Sequence, residues 1–502
     1  MNEKTILFWG WTRMTLCIDG HEFQYEMENL CRVFFPDQKI ISAVKPGDGT
    51  DVYTGAEPCA EGLRIRVRTK LNGSEREAEE MLSAKEASDP REVGRCLGVL
   101  LYRLLSSACG FRPRWGILTG VRPVKLFARL AESVGEENAV GYFERKLLVS
   151  HEKAELCRMT SQNQKEILSI PSPRSFSLYI SVPFCPTRCA YCSFVSTTVE
   201  KAFRLVPDYV KLLCEELRRT AELAAELGLI CHSVYVGGGT PTTLSAEQLR
   251  LVLDTVGDSF DLSRCREFTV EAGRPDTVTE EKLRALLESG TTRISINPQT
   301  LNDEVLRAIG RAHTTEQTYD AYALARKCGF GNINMDLIAG LPKDSAESFR
   351  KTLDGVVKLG PENITVHTLA LKRAAKLSLD PSGPYSGDAK TAQNMLTYAD
   401  SALLKSGYLP YYLYRQSRMV GNLENTGWSK TGFEGYYNVF IMEEKETILA
   451  CGAGAVSKLF DPLSDRLERI FNFKYPYEYI SRFSEMMTRK DRVKEFYDGL
   501  AD

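Results

Sequence analysis

Between residues 175 and 385 the chain repeats one local pattern: a short apolar run rich in β-branched residues, then a stretch with apolar residues at helical spacing. The runs at 178–182, 233–236, 267–270, 293–296, 332–338 and 363–368 read as strands, because each is short and bounded by turn residues. Helical patterns lie between them. The stretch 209–227 has a dense Glu/Arg face, and 245–256 opens on Ser245 as N-cap with Glu247 and Gln248 in its first turn. The stretch 279–289 opens on Thr-Glu-Glu-Lys and stops at Gly290, 316–328 stops at Gly329, and 345–358 stops before Gly360-Pro361. Repeated strand–helix units imply a parallel sheet. Six of them suffice for a partial (β/α)6 TIM-like barrel, open on one side, and are too few for a closed eight-fold barrel. The expected class is therefore α/β, with the partial barrel over 171–385.

The flanks read differently. Residues 1–170 form an expected α+β domain with a helical connector: 4–11, 13–18, 21–35 and 63–70 have period-2 character, and 91–109 and 121–134 are helical. Pro171-Ser-Pro-Arg174 is a linker, since Pro cannot continue a helix. Residues 386–502 read as a mostly helical domain, with a helix at 388–406, a tract rich in aromatic residues and Gly at 408–437, and two helical stretches between 476 and 500. The net charge of −2 offers no electrostatic footprint for nucleic acid. No apolar run approaches the ~18 residues of a membrane span, and the start, Met1-Asn-Glu-Lys, lacks a leader pattern. A cytoplasmic protein with neither a nucleic acid nor a membrane as partner is expected. Of 14 cysteines, eleven are scattered singly, which fits buried apolar thiols in a reducing setting rather than a disulfide framework.

The other three are not scattered. Cys185, Cys189 and Cys192 follow the first strand at C-x3-C-x2-C spacing, so their loop lies at the C-terminal end of a parallel strand, where barrel enzymes build their sites. A structural zinc site takes four protein ligands, and an iron–sulfur cluster ordinarily takes four cysteines. Three thiolates on a four-iron cube leave one iron open to a substrate or cofactor. Pro183 and Pro186 stiffen the loop, and Phe184, Tyr191 and Phe194 can exclude water.

Polar groups recur at the later strand ends. Gly237-Gly-Gly-Thr-Pro-Thr242 follows the second strand, a turn whose glycines let a ligand approach the backbone and which lacks the Gly-Lys-Ser/Thr ending of a phosphate loop. Glu271 closes the third strand, Gln299 follows the fourth, Arg311 comes shortly after, and Asp336 lies in the fifth. Each alone reads more readily as a solvated or structural polar residue. Together they ring one mouth of the barrel.

The motifs Tyr179-x-x-x-Pro-Phe-Cys, C-x3-C-x-Tyr-Cys, Gly-Gly-Gly-Thr-Pro-Thr, Ser295-Ile-Asn-Pro-Gln299 and Asp336-Leu-Ile-x-Gly-Leu-Pro342 resemble the oxygen-independent coproporphyrinogen III oxidase family of radical S-adenosylmethionine (SAM) proteins, from about 175 to 460. Gly116-Ile-Leu-Thr-Gly-Val-Arg-Pro-Val-Lys-Leu126 resembles a segment of its longer, N-terminally extended branch, the coproporphyrinogen dehydrogenases. The resemblance implies a radical SAM barrel with a 4Fe-4S cluster on Cys185, Cys189 and Cys192, and SAM on the fourth iron. It implies SAM contacts from Tyr179, Gly238, Thr240, Glu271, Gln299, Arg311 and Asp336. The implied reaction is oxidative decarboxylation of two propionates of coproporphyrinogen III to vinyls, giving protoporphyrinogen IX in heme biosynthesis. Electrons come from a one-electron donor such as flavodoxin or ferredoxin, and the substrate partner is a tetrapyrrole. Two positions depart from the family pattern: Ser181 stands where it has His, and Phe194 where it has a further Cys. The second departure is shared with relatives that act as heme chaperones, but their His-Asn-x-x-Tyr-Trp segment has only Asn422-Leu-Glu-Asn-Thr-Gly-Trp428 as its counterpart here. A heme-delivery protein, and radical methylation or opening of a porphyrin ring, stand as alternatives. Arg112, Arg114, Arg122 and Lys125 before the barrel, and Arg415, Arg418 and Lys430 after it, are either solvated basic faces or clamps for carboxylates.

Overall fold

A computed structural model describes residues 13–500 apart from 37, 46, 48, 72, 193–196, 371–388 and 417. The expected strand at 4–11 and the side chain of Phe194 lie outside the described residues. The chain divides into two compact units, Met1–Arg158 with Arg415–Leu423, and Met159–Tyr414 with Glu424–Asp502.

In the first unit β1 (Arg13–Asp19), β2 (Lys39–Ala43), β3 (Val52–Cys59), β4 (Gly62–Leu71) and β5 (Ser74–Ser83) form a sheet in the order β2-β1-β3-β4-β5. Strand β1 pairs in parallel with β2 and β3, and β3, β4 and β5 pair antiparallel. Helices Gln24–Phe34 and Pro90–Cys109 share one core with the sheet, in which Leu16, Leu30, Val67, Leu97 and Leu101 are buried. The stretch 21–35, expected as a strand, is thus mostly helix. Phe23, Tyr25 and Met27 alternate, but Met27, Leu30 and Cys31 recur at helical spacing, and burial selects that face while Tyr25 stays exposed.

The second unit carries the barrel. Strands β6 (Ser175–Val182), β9 (Ile230–Gly238), β10 (Glu267–Glu271), β11 (Arg293–Ser295), β12 (Ile333–Ala339) and β13 (Asn363–Thr368) lie side by side in chain order, all parallel. Between β6 and β9, β7 (Phe184–Cys185) pairs β8 (Thr197–Thr198). Helices Val206–Glu226, Ala246–Ser259, Glu280–Glu288, Thr315–Cys328 and Ala346–Leu359 fall at the expected places, with a short one, Asp303–Ala308, that the sequence pattern did not announce. Ser245 is the anticipated cap and closes a reciprocal box with Gln248; Thr314, not singled out from sequence, does the same with Gln317, and Gly329 and Gly360 end helices in the left-handed conformation.

The region 386–502 carries the expected helices, with Pro476–Ser481 and Phe483–Asp498 near its end, and adds strands that were not expected. Besides helix Ala389–Lys405 it contributes β14 (Leu409–Tyr414), β15 (Asn425–Ser429), β16 (Thr447–Cys451), β17 (Val456–Asp461) and β18 (Arg466–Phe471) to the barrel's own sheet. Strand β15 pairs antiparallel with β13 at one edge, and β16 pairs in parallel with β6 at the other. The 11-stranded sheet runs from β14 to β18. An open half-barrel leaves two rows of unpaired backbone groups, and these strands cover both.

Candidate active site

The site is built at the C-terminal ends of β6 and β9–β13. Strand β6 ends at Val182, and the cysteine loop follows, with Cys185, Cys189 and Cys192 all half-buried. The loop is held by its neighbours: the Ala190 N–H donates to the Ile309 carbonyl at 2.9 Å, and the Thr187 hydroxyl to that of Gly310 at 3.1 Å. The turn after β9 lies against it. Gly239 N–H donates to the Val182 carbonyl at 2.8 Å and Thr240 N–H to that of Phe184 at 2.7 Å, while the Thr240 hydroxyl stands 3.6 Å from the Cys185 Sγ. A Cβ on Gly239 would lie 2.6 Å from the Phe184 carbonyl oxygen and 2.8 Å from that of Val182. Only a glycine allows this approach. Gly238 has φ +102°, a conformation closed to most residues with a Cβ.

Two guanidinium groups flank the loop. Arg311, buried, donates from Nη1 to the carbonyls of Asn297 (3.0 Å) and Gly273 (3.2 Å), and from Nη2 to the Tyr191 hydroxyl (3.3 Å). Arg274, also buried, pairs with Asp276 at 2.8 Å and donates to the Thr187 hydroxyl at 3.1 Å. Beside them His313 is buried, and its pKa is lowered to about 3 by burial first and by the Arg311 and Arg274 charges next, so its imidazole is neutral.

Deeper in the mouth, Tyr179 on β6 stacks with Tyr235 on β9 and with Tyr437 from helix Tyr436–Glu443; Tyr235 and Tyr437 are closest, with centroids 4.5 Å apart. The Tyr235 hydroxyl donates to Oε1 of Glu271 at 2.5 Å. Burial, with the Asp336 charge adding to it, pushes the Glu271 carboxyl up to about 7 against the pull of Tyr235 and His367. Asp336 goes the other way: burial raises it, but His367, Asn334 and Thr365 outweigh that and hold its pKa low. Asn334 Nδ2 donates to Asp336 at 2.7 Å, and His367 Nε2 stands 3.7 Å from it. Gln299 is buried with φ +66°, its backbone bridging to β12 through Asp336 and Ile338. Its Oε1 has no hydrogen-bond partner among the described residues. A left-handed backbone and an orphaned buried acceptor thus coincide in one residue.

Two linked groups emerge. The first joins the cysteine loop, Gly238, Thr240 and Arg311; the second joins Tyr179, Glu271, Gln299 and Asp336. Tyr235, Tyr437, Arg274, Asn297 and His367 were not singled out from sequence. The register Tyr179↔Tyr235 puts those two rings on one face, a relation readable once the strands are aligned, whereas Tyr437 arrives from a distant helix. Ser181 is buried with its hydroxyl donating to the Ala453 carbonyl at 2.8 Å. A Cβ on Gly238 would come within 2.8 Å of its Oγ, and one on Gly452 within 2.5 Å of its carbonyl oxygen, so the position suits a small side chain. The basic group expected after the barrel does not hold together: Arg415, buried, donates to the carbonyls of Leu118, Gly120 and Asn422 in the first unit, and Lys430 in the second donates to Gly360.

A half-barrel with a three-cysteine loop over its C-terminal mouth defines a radical SAM protein, and residues 179–356 match the family model of the radical SAM superfamily. The chain is 39% identical over 420 residues to the oxygen-independent coproporphyrinogen-III oxidase-like protein HemZ of Bacillus subtilis, covering 82% of this chain and 83% of that one. It is 29% identical over 329 residues to the heme chaperone HemW of Lactococcus lactis, covering 64% and 79%. Its fold is similar to that of coproporphyrinogen III oxidase (HemN) from Escherichia coli, with a TM-score of 0.50 and 23% identity over 67% of this chain and 73% of that one. The chain belongs to the oxygen-independent coproporphyrinogen III oxidase family of radical SAM proteins, in its N-terminally extended branch.

The cofactors of that class are a 4Fe-4S cluster on three cysteines and SAM on the fourth iron. The residues present fit them. The thiols are three, on one half-buried loop, with a glycine cradle against it and the unpartnered acceptor of Gln299 at a neighbouring strand end. Among the described residues no three His, Cys, Asp or Glu side chains converge into a ready-made metal centre, so the fit rests on the number, type and common loop of the thiols. Among the described residues no helix is long and apolar enough to cross a membrane.

Proposed function

We propose that this protein catalyses oxygen-independent oxidative decarboxylation of two propionates of coproporphyrinogen III to vinyls, giving protoporphyrinogen IX in heme biosynthesis. The cluster and SAM together supply one-electron cleavage of SAM and hydrogen abstraction from a substrate carbon. Each turnover then consumes SAM and a propionate and yields methionine, 5′-deoxyadenosine, CO2 and a vinyl. One electron enters from a flavodoxin- or ferredoxin-type donor, and the decarboxylation releases one electron to a one-electron acceptor.

The chain's own residues take the following parts. Cys185, Cys189 and Cys192 hold the cluster as thiolates. Gly238 offers backbone and Thr240 its hydroxyl to the amino-acid end of SAM, and Arg311 suits its carboxylate. Glu271 and Asp336 accept from its ammonium and ribose hydroxyls, Gln299 Oε1 from a further donor, and the Tyr179 ring lines the pocket floor. Phe184, buried against the Tyr209 ring at 5.1 Å, helps keep water from the loop. The carrying observation is that all these groups lie at one barrel mouth in a chain matching an oxidase-like relative well beyond the barrel. The heme chaperones among its relatives favour a second reading, heme delivery without turnover.

The direct test is product mass after anaerobic incubation of the reconstituted, reduced protein with SAM and coproporphyrinogen III. SAM cleavage without decarboxylation would remove the proposal, and tight heme binding without turnover would install the second reading. A methylated or ring-opened product would instead assign different radical chemistry. Separately, changing any one of Cys185, Cys189 and Cys192 to Ala is expected to abolish cluster loading, read as iron per chain after reconstitution.

A further inference from the structure

Glu271 is the most unusual carboxyl at the mouth, and one neighbour governs it. Tyr235 comes from the adjacent strand, two residues before Gly237, and its hydroxyl donates to Oε1 at 2.5 Å. Space for this pair exists because residue 237 is glycine: a Cβ there would lie 2.9 Å from the Tyr235 ring and 3.0 Å from the Glu271 carboxyl. The ring has little freedom of its own, since Tyr437 stacks on it at 4.5 Å and Tyr179 lies 6.3 Å away at 23°. Oε2 takes no hydrogen bond from the described residues.

We infer that Tyr235 is a positioning residue for SAM binding: its hydroxyl fixes one oxygen of Glu271 and leaves the other for the cationic ligand. The inference rests on Glu271 being a SAM ligand, as proposed above. The groups that face this carboxyl are Tyr179, Tyr235 and Tyr437 around it, Asp336 on β12 and His367 on β13, while Arg293 on β11 acts on Tyr235. Asp336 opposes ionisation of Glu271, whereas Tyr235 and His367 favour it. A ligand bearing an ammonium selects the ionised form, so binding releases a proton and weakens as pH falls through about 7. Removing the tyrosine hydroxyl moves that midpoint upward.

The experiment is equilibrium SAM binding to cluster-loaded protein between pH 6 and 9, comparing wild type, Tyr235→Phe and Glu271→Gln. Phe keeps the stacked ring and loses only the hydroxyl. The wild-type affinity is expected to bend near pH 7. Tyr235→Phe is expected to bend at higher pH, binding about tenfold more weakly at the acid end and recovering at the alkaline end. Glu271→Gln is expected to bind weakly with no bend. A Tyr235→Phe profile that overlays wild type, or falls below it by one factor at every pH, overturns the role of Tyr235 while leaving Glu271 a ligand. A Glu271→Gln profile that overlays wild type overturns the SAM assignment of Glu271, and with it this inference.

Discussion

Glu271 also leaves a signature on stability in the absence of ligand. Its pKa in the folded chain, about 7, stands above the ordinary value of 4.5. Between those limits the folded protein holds a proton that the unfolded chain has released, so stability falls as pH rises and the cost is complete above about 7. Glu271→Gln is therefore expected to stabilise the cofactor-free protein by about 1–2 kcal/mol at pH 8 and by nothing measurable at pH 4.5, the discount reflecting partial access to water. Thermal melts at the two pH values check this; equal shifts at both would contradict it. Gly239 provides a second test. Its missing Cβ would strike backbone of the residues leading into Cys185, which cannot swing away. Gly239→Ala is expected to lower iron per chain after reconstitution at least as much as losing Thr240's hydroxyl, with circular dichroism unchanged outside this loop.

Elements far along the chain hold the site from behind. Helix Phe483–Asp498 sends Lys490 to within 2.8 Å of the Glu216 carboxylate, both buried. Tyr479 (2.6 Å) and Asn472 (2.8 Å) donate to the same carboxylate, as does the Gly452 N–H at 2.7 Å. The next residue, Ala453, takes the Ser181 hydroxyl and donates to the Tyr209 hydroxyl, which in turn donates to the Ser181 carbonyl at 2.8 Å. A continuous polar path thus joins the last helix to the strand that launches the cysteine loop. Lys490→Met leaves the buried Glu216 side chain without its cationic partner, at an expected cost of about 3–5 kcal/mol in urea denaturation. The double variant Lys490→Met with Glu216→Gln is expected to recover part of it.

The barrel elements were legible because strands covered on both faces read as continuous β-branched runs, and because Ser245, Thr279, Gly329 and Gly360 punctuate the helices. The added edge strands were not. Strand β15 reads Asn-Thr-Gly-Trp-Ser, with no apolar alternation, and is a strand because β13 and β14 flank it. Strand β16 is a short buried run that periodicity cannot separate from helix. At the site, Gly238 and Glu271 end barrel strands, the cysteine loop and Gln299 follow them, and Tyr179 and Asp336 lie within them, which chain order discloses. Tyr437 and Arg274 depend on three-dimensional approach, which it does not.

At the scale of the whole molecule, the family, its cofactors and a barrel mouth suited to them converge on radical chemistry, and the proposed substrate adds a specific outcome. A net charge of −2 leaves the recognition of a propionate-bearing tetrapyrrole to local cations rather than to the overall field. Of the basic residues first considered, Arg415 is committed to carbonyls within the first unit and Lys430 to the Gly360 carbonyl within the second. The most direct measurement remains the mass of the tetrapyrrole recovered after anaerobic turnover with SAM and coproporphyrinogen III. The account predicts a product in which two propionates have become vinyls, with 5′-deoxyadenosine formed in step. Recovery of unchanged coproporphyrinogen alongside cleaved SAM would contradict it.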